Sequence, residues 1–284
     1  MEENRAENQT PRRQHAQAKT HQAHKKKGGT VKKVIGTILA IGLTTCLMFF
    51  AIFMIYVHTS LDLDVDISAY TLKQSSTVYY QDKTSGERVE LTKLHGVENR
   101  TLVSIDDIPK HVQNALISIE DERFQSHHGV DWKSTAKAIL GKLTGSSTRG
   151  GSTISQQVIK NTTGDNEVTI KRKVREIFRA LRLEKNYSKD EILETYLNLV
   201  YFGNGCNGIE AAAESYFGKT VGELSIAEAA SIVGITQFPY KYDPSRGDWY
   251  REQNKERQLT VLYKMHELGK ISDEEYEQAK VEPL

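Results

Sequence analysis

The hydrophobic residues of this chain follow two different patterns. Residues 34–57 form one unbroken apolar run, VIGTILAIGLTTCLMFFAIFMIYV, 24 positions with neither charge nor proline. As a helix it would extend about 36 Å, against a bilayer hydrocarbon core of roughly 30 Å. It is longer than the apolar stretch of a secretory signal, and no Ala-x-Ala-like site precedes residues 58–66. A transmembrane anchor is therefore expected at 34–57, preceded by a tail at 1–33 and followed by a connector over 58–100 and a folded domain over 101–284.

In the connector, Ser76–Tyr80 and Glu87–Leu91 are β-prone and separated by Asp82-Lys-Thr-Ser-Gly86, which predicts a small hairpin. Beyond residue 105 apolar positions recur at helical spacing. Ile108, Val112, Ala115, Leu116 and Ile119 mark one helix with Pro109 in its first turn. Trp132, Ala136, Ile139, Leu140 and Leu143 mark another, flanked by Lys133, Lys137 and Lys142; core packing is its first reading and contact with lipid its second. Over 168–185, Ile170, Val174, Ile177, Phe178 and Leu181 form one face of a predicted helix, with Arg172, Arg175, Arg179 and Arg182 opposite it. Ser188 with Glu191 reads as a capping box for a helix carrying Ile192, Leu193, Tyr196 and Leu197. The alanine-rich segments 209–217 and 225–235 belong in the core, and a final helical pair, 251–268 and 272–280, is split by Gly269. The expected fold class is mainly α with a small N-terminal β-hairpin, preceded by one transmembrane helix.

Charge adds topology. The chain carries 38 Lys+Arg against 37 Asp+Glu, but residues 1–33 hold nine basic and three acidic side chains, leaving 29 against 34 beyond them. Lys25, Lys26, Lys27, Lys32 and Lys33 before the apolar run, and Asp62, Asp64 and Asp66 after it, place the tail in the cytoplasm and everything after about residue 58 outside. The tail has almost no apolar residues and reads as disordered, with anionic headgroups as neighbours. The acidic balance of the rest argues against a nucleic-acid partner. Cys46 and Cys206 cannot form a disulfide framework.

Three stretches carry candidate chemistry. Glu120-Asp-Glu-Arg-Phe-Gln-Ser-His-His128 packs six charged or imidazole side chains into nine positions; a hydrated helix end and a carboxylate–imidazole metal site are the alternatives to catalysis. Arg149-Gly-Gly-Ser-Thr-Ile-Ser-Gln-Gln-Val-Ile-Lys-Asn161 frees the backbone just before a helix start and then presents Thr153, Gln156, Gln157 and Lys160 on one side, a surface suited to a phosphorylated sugar or simply to water. The arginine stripe, with Lys171 and Lys173, is able to hold a diphosphate or be merely solvated, and Arg172–Glu176 is also an ordinary i,i+4 pair. Glu184 supplies a second acid.

Taken in order, these stretches resemble a known family. Glu120-Asp-x-x-Phe124-x-x-His127-x-Gly129, Gly150-Gly-Ser-Thr-Ile-Ser-Gln-Gln157 with Lys160-Asn161, and Arg172-Lys-x-x-Glu176 through Leu183-Glu184 resemble the first three motifs of peptidoglycan glycosyltransferases, glycosyltransferase family 51. Tyr187-Ser-Lys189 to Asn198, with Tyr201-Phe-Gly203, resembles the fourth motif, and residues 224–239 the fifth. Ser155 stands where the family pattern has Thr. The resemblance implies a lysozyme-like, two-lobed helical domain that polymerises lipid II at the outer face of the bacterial cytoplasmic membrane. Glu120 would be the general base and Glu184 the second acid, with a divalent cation (Mg or Mn) as an optional cofactor. Arg172, Lys173 and Lys160 would take the diphosphate, and Asp121, Phe124, His127, Ser152, Thr153, Gln157, Asn161 and Glu176 would line the substrate cleft.

The implied partners are lipid II, the growing strand, membrane lipids, divisome or elongation proteins and a separate transpeptidase. The resemblance extends to the glycosyltransferase half of class A penicillin-binding proteins, but with the last residue at Leu284 the expectation is a monofunctional enzyme, or a fragment or truncated relative of a bifunctional one, without crosslinking activity either way. Two rivals stay open at this stage: a lysozyme-like hydrolase, which also uses paired carboxylates, and a non-catalytic membrane-anchored scaffold.

Overall fold

The computed structural model describes residues 28–60, 63–67, 76–81, 88–94, 100–145, 150–164, 167 and 169–283. The tail to residue 27 with Lys25, Lys26 and Lys27, as well as Asp62, the turn at 82–86 and Arg149, lie outside them. The chain divides into an N-terminal unit ending at Ser60 and a second unit from Leu61 onward.

The N-terminal unit is one helix, α1 (Gly28–Ser60). Residues Val31–Thr59 are long and apolar enough to cross a membrane, and the apolar window has none of its residues buried. Apolar side chains face outward all round it: Leu39, Leu43 and Phe49 are each more than 60% exposed. A helix greasy on every side has no face to turn to water. It extends beyond the predicted 34–57 because Lys32, Lys33 and His58 continue the backbone hydrogen bonding while ending the apolar stretch.

The second unit begins with an antiparallel hairpin, β1 (Ser76–Gln81) and β2 (Arg88–Leu94), with a register irregularity between Val78 and Tyr79. The rest is helical: α2 (Lys110–Glu120), α3 (Trp132–Thr144), α4 (Ile154–Thr163), α5 (Ile170–Asn186), α6 (Lys189–Leu199), α7 (Ile209–Phe217), α8 (Ile226–Ile235), the one-turn α9 (Pro239–Tyr242), α10 (Asp248–Glu267) and α11 (Asp273–Val281). The mainly α expectation holds. Ser188 caps α6 as predicted, in a reciprocal box with Glu191, and Ser272 caps α11 in the same way with Glu275.

The core forms around α8. Every residue from Ala227 to Ile235 is buried, and α2, α7, α9, α10 and α11 all pack on it. Small side chains permit that density: a Cβ added to Gly234 would lie 2.9 Å from the Arg257 side chain of α10. A second packing centre joins α4 to α5 and α6.

One expectation about which helix face is covered is overturned. On α3, Trp132, Ile139, Leu140 and Leu143 are 61%, 57%, 62% and 80% exposed, so core packing fails for that stripe. The helix is held instead by its small-residue side, where Thr135 and Ala138 meet Gly151. On α5, Ile170 is exposed, Val174, Ile177, Phe178 and Leu181 are only partly covered, and the buried residues are Glu176, Arg179, Ala180 and Leu183. Periodicity identifies the apolar face of a helix, but the neighbours decide which face is covered. Here α5 turns its charged face toward the protein because Arg172 and Lys173 pair with Glu176 on the spot.

Candidate active site

A cleft of about 520 Å³ opens where the end of α2, the start of α4 and the chain after α8 converge. Glu120 is the last residue of α2, and both of its carboxylate oxygens are held. Gln157 Nε2 donates to Oε2 at 2.7 Å and Thr236 Oγ1 donates to Oε1 at 3.1 Å. Gln157 is itself oriented, because Tyr196 Oη donates to its Oε1 at 3.2 Å and so turns its amide N–H₂ toward the acid. Burial, and then the nearby Glu120 charge, push the Tyr196 phenol well above its usual range, which keeps it a neutral donor. One acid is thus fixed in direction while its cleft stays open.

The start of α4 supplies the opposite wall. Thr153 caps that helix in a reciprocal box with Gln156, and its hydroxyl donates to the Gly129 carbonyl at 2.7 Å. Gly129 has φ +87°, and a Cβ there would lie 2.5 Å from the Ala180 carbonyl oxygen. Only glycine lets this loop touch the α5 backbone. Ser152, Lys160 and Asn161 line the cleft with Glu120. Lys173 reaches it indirectly, donating to Ser152 Oγ at 3.0 Å while also pairing with Glu176. Arg172 pairs with the same Glu176 at 2.7 Å and lies with Lys160 around a second, smaller depression. Lys160 is exposed and pairs with no acid among the described residues, so it is the cation best placed to meet an incoming anion.

The remaining expected site residues assemble elsewhere. Phe124 is fully buried and does not line the cleft. His127 is largely buried; its Nε2 lies 2.8 Å from Asp121 Oδ2 and its Nδ1 3.6 Å from Glu184 Oε1. Asp121 borders the cleft, but its Oδ2 also accepts from the Ile154 backbone N–H at 3.0 Å, tying motif to helix start. Glu184 has a side chain 3% exposed, bonded to Ser155 Oγ at 2.5 Å and to Lys189 Nζ at 2.5 Å, and it is not among the cleft residues. Lys189 also donates to the His127 carbonyl at 2.8 Å and sits 4.4 Å over the Phe124 ring. Ser155, where the family pattern has Thr, keeps the hydroxyl this cluster needs.

Sequence reasoning assigned no role to Thr236, Tyr196, Lys189 or Arg257, which lines the cleft from α10. Tyr196 was visible only as an apolar helix position. Lys189 stood inside the fourth motif, and Thr236 inside the fifth, but spacing alone gives neither a partner.

The family model for transglycosylases matches residues 85–266. Penicillin-binding protein 1A/1B of Bacillus subtilis is 40% identical over 258 residues, covering 90% of this chain and 27% of the relative. Penicillin-binding protein 1A of Clostridium perfringens is 41% identical over 254 residues, covering 85% and 36%. The crystal structure of penicillin-binding protein 1A from Haemophilus influenzae aligns with a TM-score of 0.41 and 23% identity over 75% of this chain and 21% of that one. The chain belongs to the transglycosylase family. It spans between about a quarter and about a third of the length of the relatives named here.

Proposed function

We propose that this protein is a membrane-anchored peptidoglycan glycosyltransferase that polymerises lipid II into glycan strands and releases undecaprenyl diphosphate. The observation that carries this reading is Glu120, held at both oxygens by Gln157 and Thr236 in a cleft that also contains Lys160, whose ammonium pairs with no acid among the described residues. Glu120 takes the proton from the 4-hydroxyl of the acceptor's N-acetylglucosamine. The oxygen attacks the donor's anomeric carbon from the face opposite its diphosphate, the C1–O bond to phosphate breaks, and an α linkage becomes β. Lys160, and Lys173 through Ser152, stabilise the negative charge left on the diphosphate, with Arg172 behind them. The lysozyme-like, two-lobed description belongs with this reading.

Glu184 and His127 act as supports. A resident Mg or Mn ion does not fit at Glu184, because both carboxylate oxygens already carry Ser155 and Lys189, and no group of three His, Cys, Asp or Glu among the described residues is arranged to hold a metal. No step is routed through one. The anchor α1 crosses the bacterial cytoplasmic membrane once, with Lys32 and Lys33 at its inner end and Asp64 and Asp66 beyond its outer one. The exposed Ile139, Leu140 and Leu143 of α3, with lysines beside them, lean on the same bilayer.

The test is direct. Purified protein in detergent, given lipid II, makes long β-linked strands, and Glu120→Gln makes none. Release of short saccharides from finished peptidoglycan would establish a hydrolase instead, and a Glu120→Gln protein that still supports growth in cells relying on this chain would favour the scaffold.

A further inference from the structure

At the α9–α10 end of the cleft the protein exposes aromatic rings it has no structural reason to expose. Gln237 and Pro239 line the cleft, and the two residues flanking Pro239, Phe238 and Tyr240, are 61% and 67% exposed. Trp249, in the first turn of α10, is 55% exposed. Elsewhere in the domain Phe124, Tyr196 and Phe202 are fully buried, while Trp132, Tyr201 and Tyr263 stand exposed one at a time; at the ledge three exposed rings fall within twelve residues.

These rings are fixed in place. The Arg246 guanidinium lies 3.6 Å from the Tyr240 ring centroid, Tyr240 meets Tyr250 edge-on at 6.1 Å, and Trp249 meets Tyr250 edge-on at 4.9 Å. The backbone beneath is pinned from inside: buried Asn254 donates to the Tyr242 carbonyl at 2.7 Å, and buried Asp243 accepts from the Ser245 N–H and hydroxyl at 3.0 and 2.6 Å. Rings already ordered in the free protein cost little more to order on binding.

We infer that this aromatic ledge docks the saccharide backbone of the glycan strand where it passes beyond the reacting position; the inference rests on the glycosyltransferase reading above. Sugar rings carry flat C–H faces that stack on aromatic rings, and hydroxyl and acetamido groups that hydrogen-bond to side chains such as Lys241, Arg246 and Asp248 beside the ledge. Acyl chains fit it less well. A cluster of exposed aliphatic side chains lies on α3, at Ile139, Leu140 and Leu143, whereas the ledge exposes aromatic rings among charged side chains. Continuity also favours the strand: Thr236, which holds Glu120, precedes Tyr240 by four residues, at most about 14 Å of extended chain. A saccharide with one ring at Glu120 reaches the ledge within a few units.

The experiment uses the full chain in detergent and two probes, a soluble β-1,4-linked N-acetylglucosamine hexamer for binding and lipid II for strand length. Tyr240→Ala and Trp249→Ala should each weaken hexamer binding by about tenfold, with Tyr240→Phe within about twofold of wild type. The Ala variants should also make shorter strands at a first-turnover rate close to wild type, with unchanged thermal unfolding, as expected for exposed rings; Phe238→Ser provides a second test outside the Tyr240–Tyr250–Trp249 cluster. Ala variants that bind the hexamer and extend strands as wild type does would overturn the inference. So would loss of binding to phosphatidylglycerol vesicles with hexamer affinity intact, which would assign the ledge to the bilayer. A wild-type protein that binds the hexamer through these rings yet never polymerises lipid II would overturn the glycosyltransferase reading and leave the ledge standing.

Discussion

Glu120 and Glu184 come from the first and third motifs, and the fold gives them opposite surroundings. Glu120 is half-buried at an open cleft, and the groups on its carboxylate, Gln157 and Thr236, are neutral. Glu184 is sealed inside, and one of its partners is the ammonium of Lys189. A carboxylate held by neutral donors keeps its charge available to a substrate's proton. One paired with a part-buried cation has its charge already satisfied, and its removal would leave that cation without its counter-charge. On the proposed function, the difference separates an acid that does chemistry from one that holds the loops of the first three motifs together.

The sharpest way to break this comparison is to remove each charge without changing shape. Glu120→Gln should lower lipid II polymerisation by about 10²- to 10⁴-fold, the range of a lost general base, while urea unfolding shifts by less than about 1 kcal/mol. A comparable loss of stability would put Glu120 in the same class as Glu184.

Glu184→Gln should do the reverse first. Leaving the part-buried Lys189 without its carboxylate should cost about 1–3 kcal/mol in urea unfolding, and the activity that survives should track the folded fraction. The double variant Glu184→Gln with Lys189→Met removes both charges and should recover most of that loss. A double variant as unstable as the single, or a stable Glu184→Gln that cannot polymerise, would show that Glu184 acts on substrate.

A third contrast lies on the surface. If α3 leans on lipid, replacing Leu140 and Leu143 by Ser should weaken binding of the domain lacking α1 to phosphatidylglycerol vesicles by about 10- to 100-fold, from roughly 1.5–3 kcal/mol for each large apolar side chain buried, reduced for partial insertion. Folding should be unaffected, since both side chains are already exposed. Unchanged vesicle binding would leave the stripe without a partner.

Much of this was legible in the sequence where the signal was local. The end of α2 at Glu120 followed from Ile108, Val112, Ala115 and Leu116, and the cap of α6 from Ser188 and Glu191 three apart. Burial of α8 followed from alanine content, because small side chains are useful mainly where helices approach closely. What failed was the covered face of α3. The apolar stripes of α3 and α5 were real, but a stripe does not say what covers it, and in α5 local ion pairs made the charged side the one that packs. The hydrogen bonds around Glu120 were illegible for a different reason: Gln157, Tyr196 and Thr236 come from three separate elements, and only the packed fold makes them neighbours.

Thr236 gives the finest test of what distinguishes the two acids. Its hydroxyl donates to Glu120 Oε1 and is also within hydrogen-bond reach of the Val233 carbonyl at 2.8 Å, so it stands between the end of α8 and the reacting acid. Thr236→Val keeps the shape and removes the donor, freeing one carboxylate oxygen to rotate. If the role of Thr236 is to aim Glu120, turnover should fall by about 5- to 10-fold, the worth of one hydrogen bond of roughly 1–1.5 kcal/mol, with little change in the KM for lipid II. Thr236→Ser, which keeps the hydroxyl, should restore most of the rate. If valine instead raises KM and leaves kcat alone, Thr236 contacts substrate directly; if serine fails to rescue, the methyl group matters more than the hydrogen bond. Either result would mean that the neutral grip on Glu120 does not set its direction.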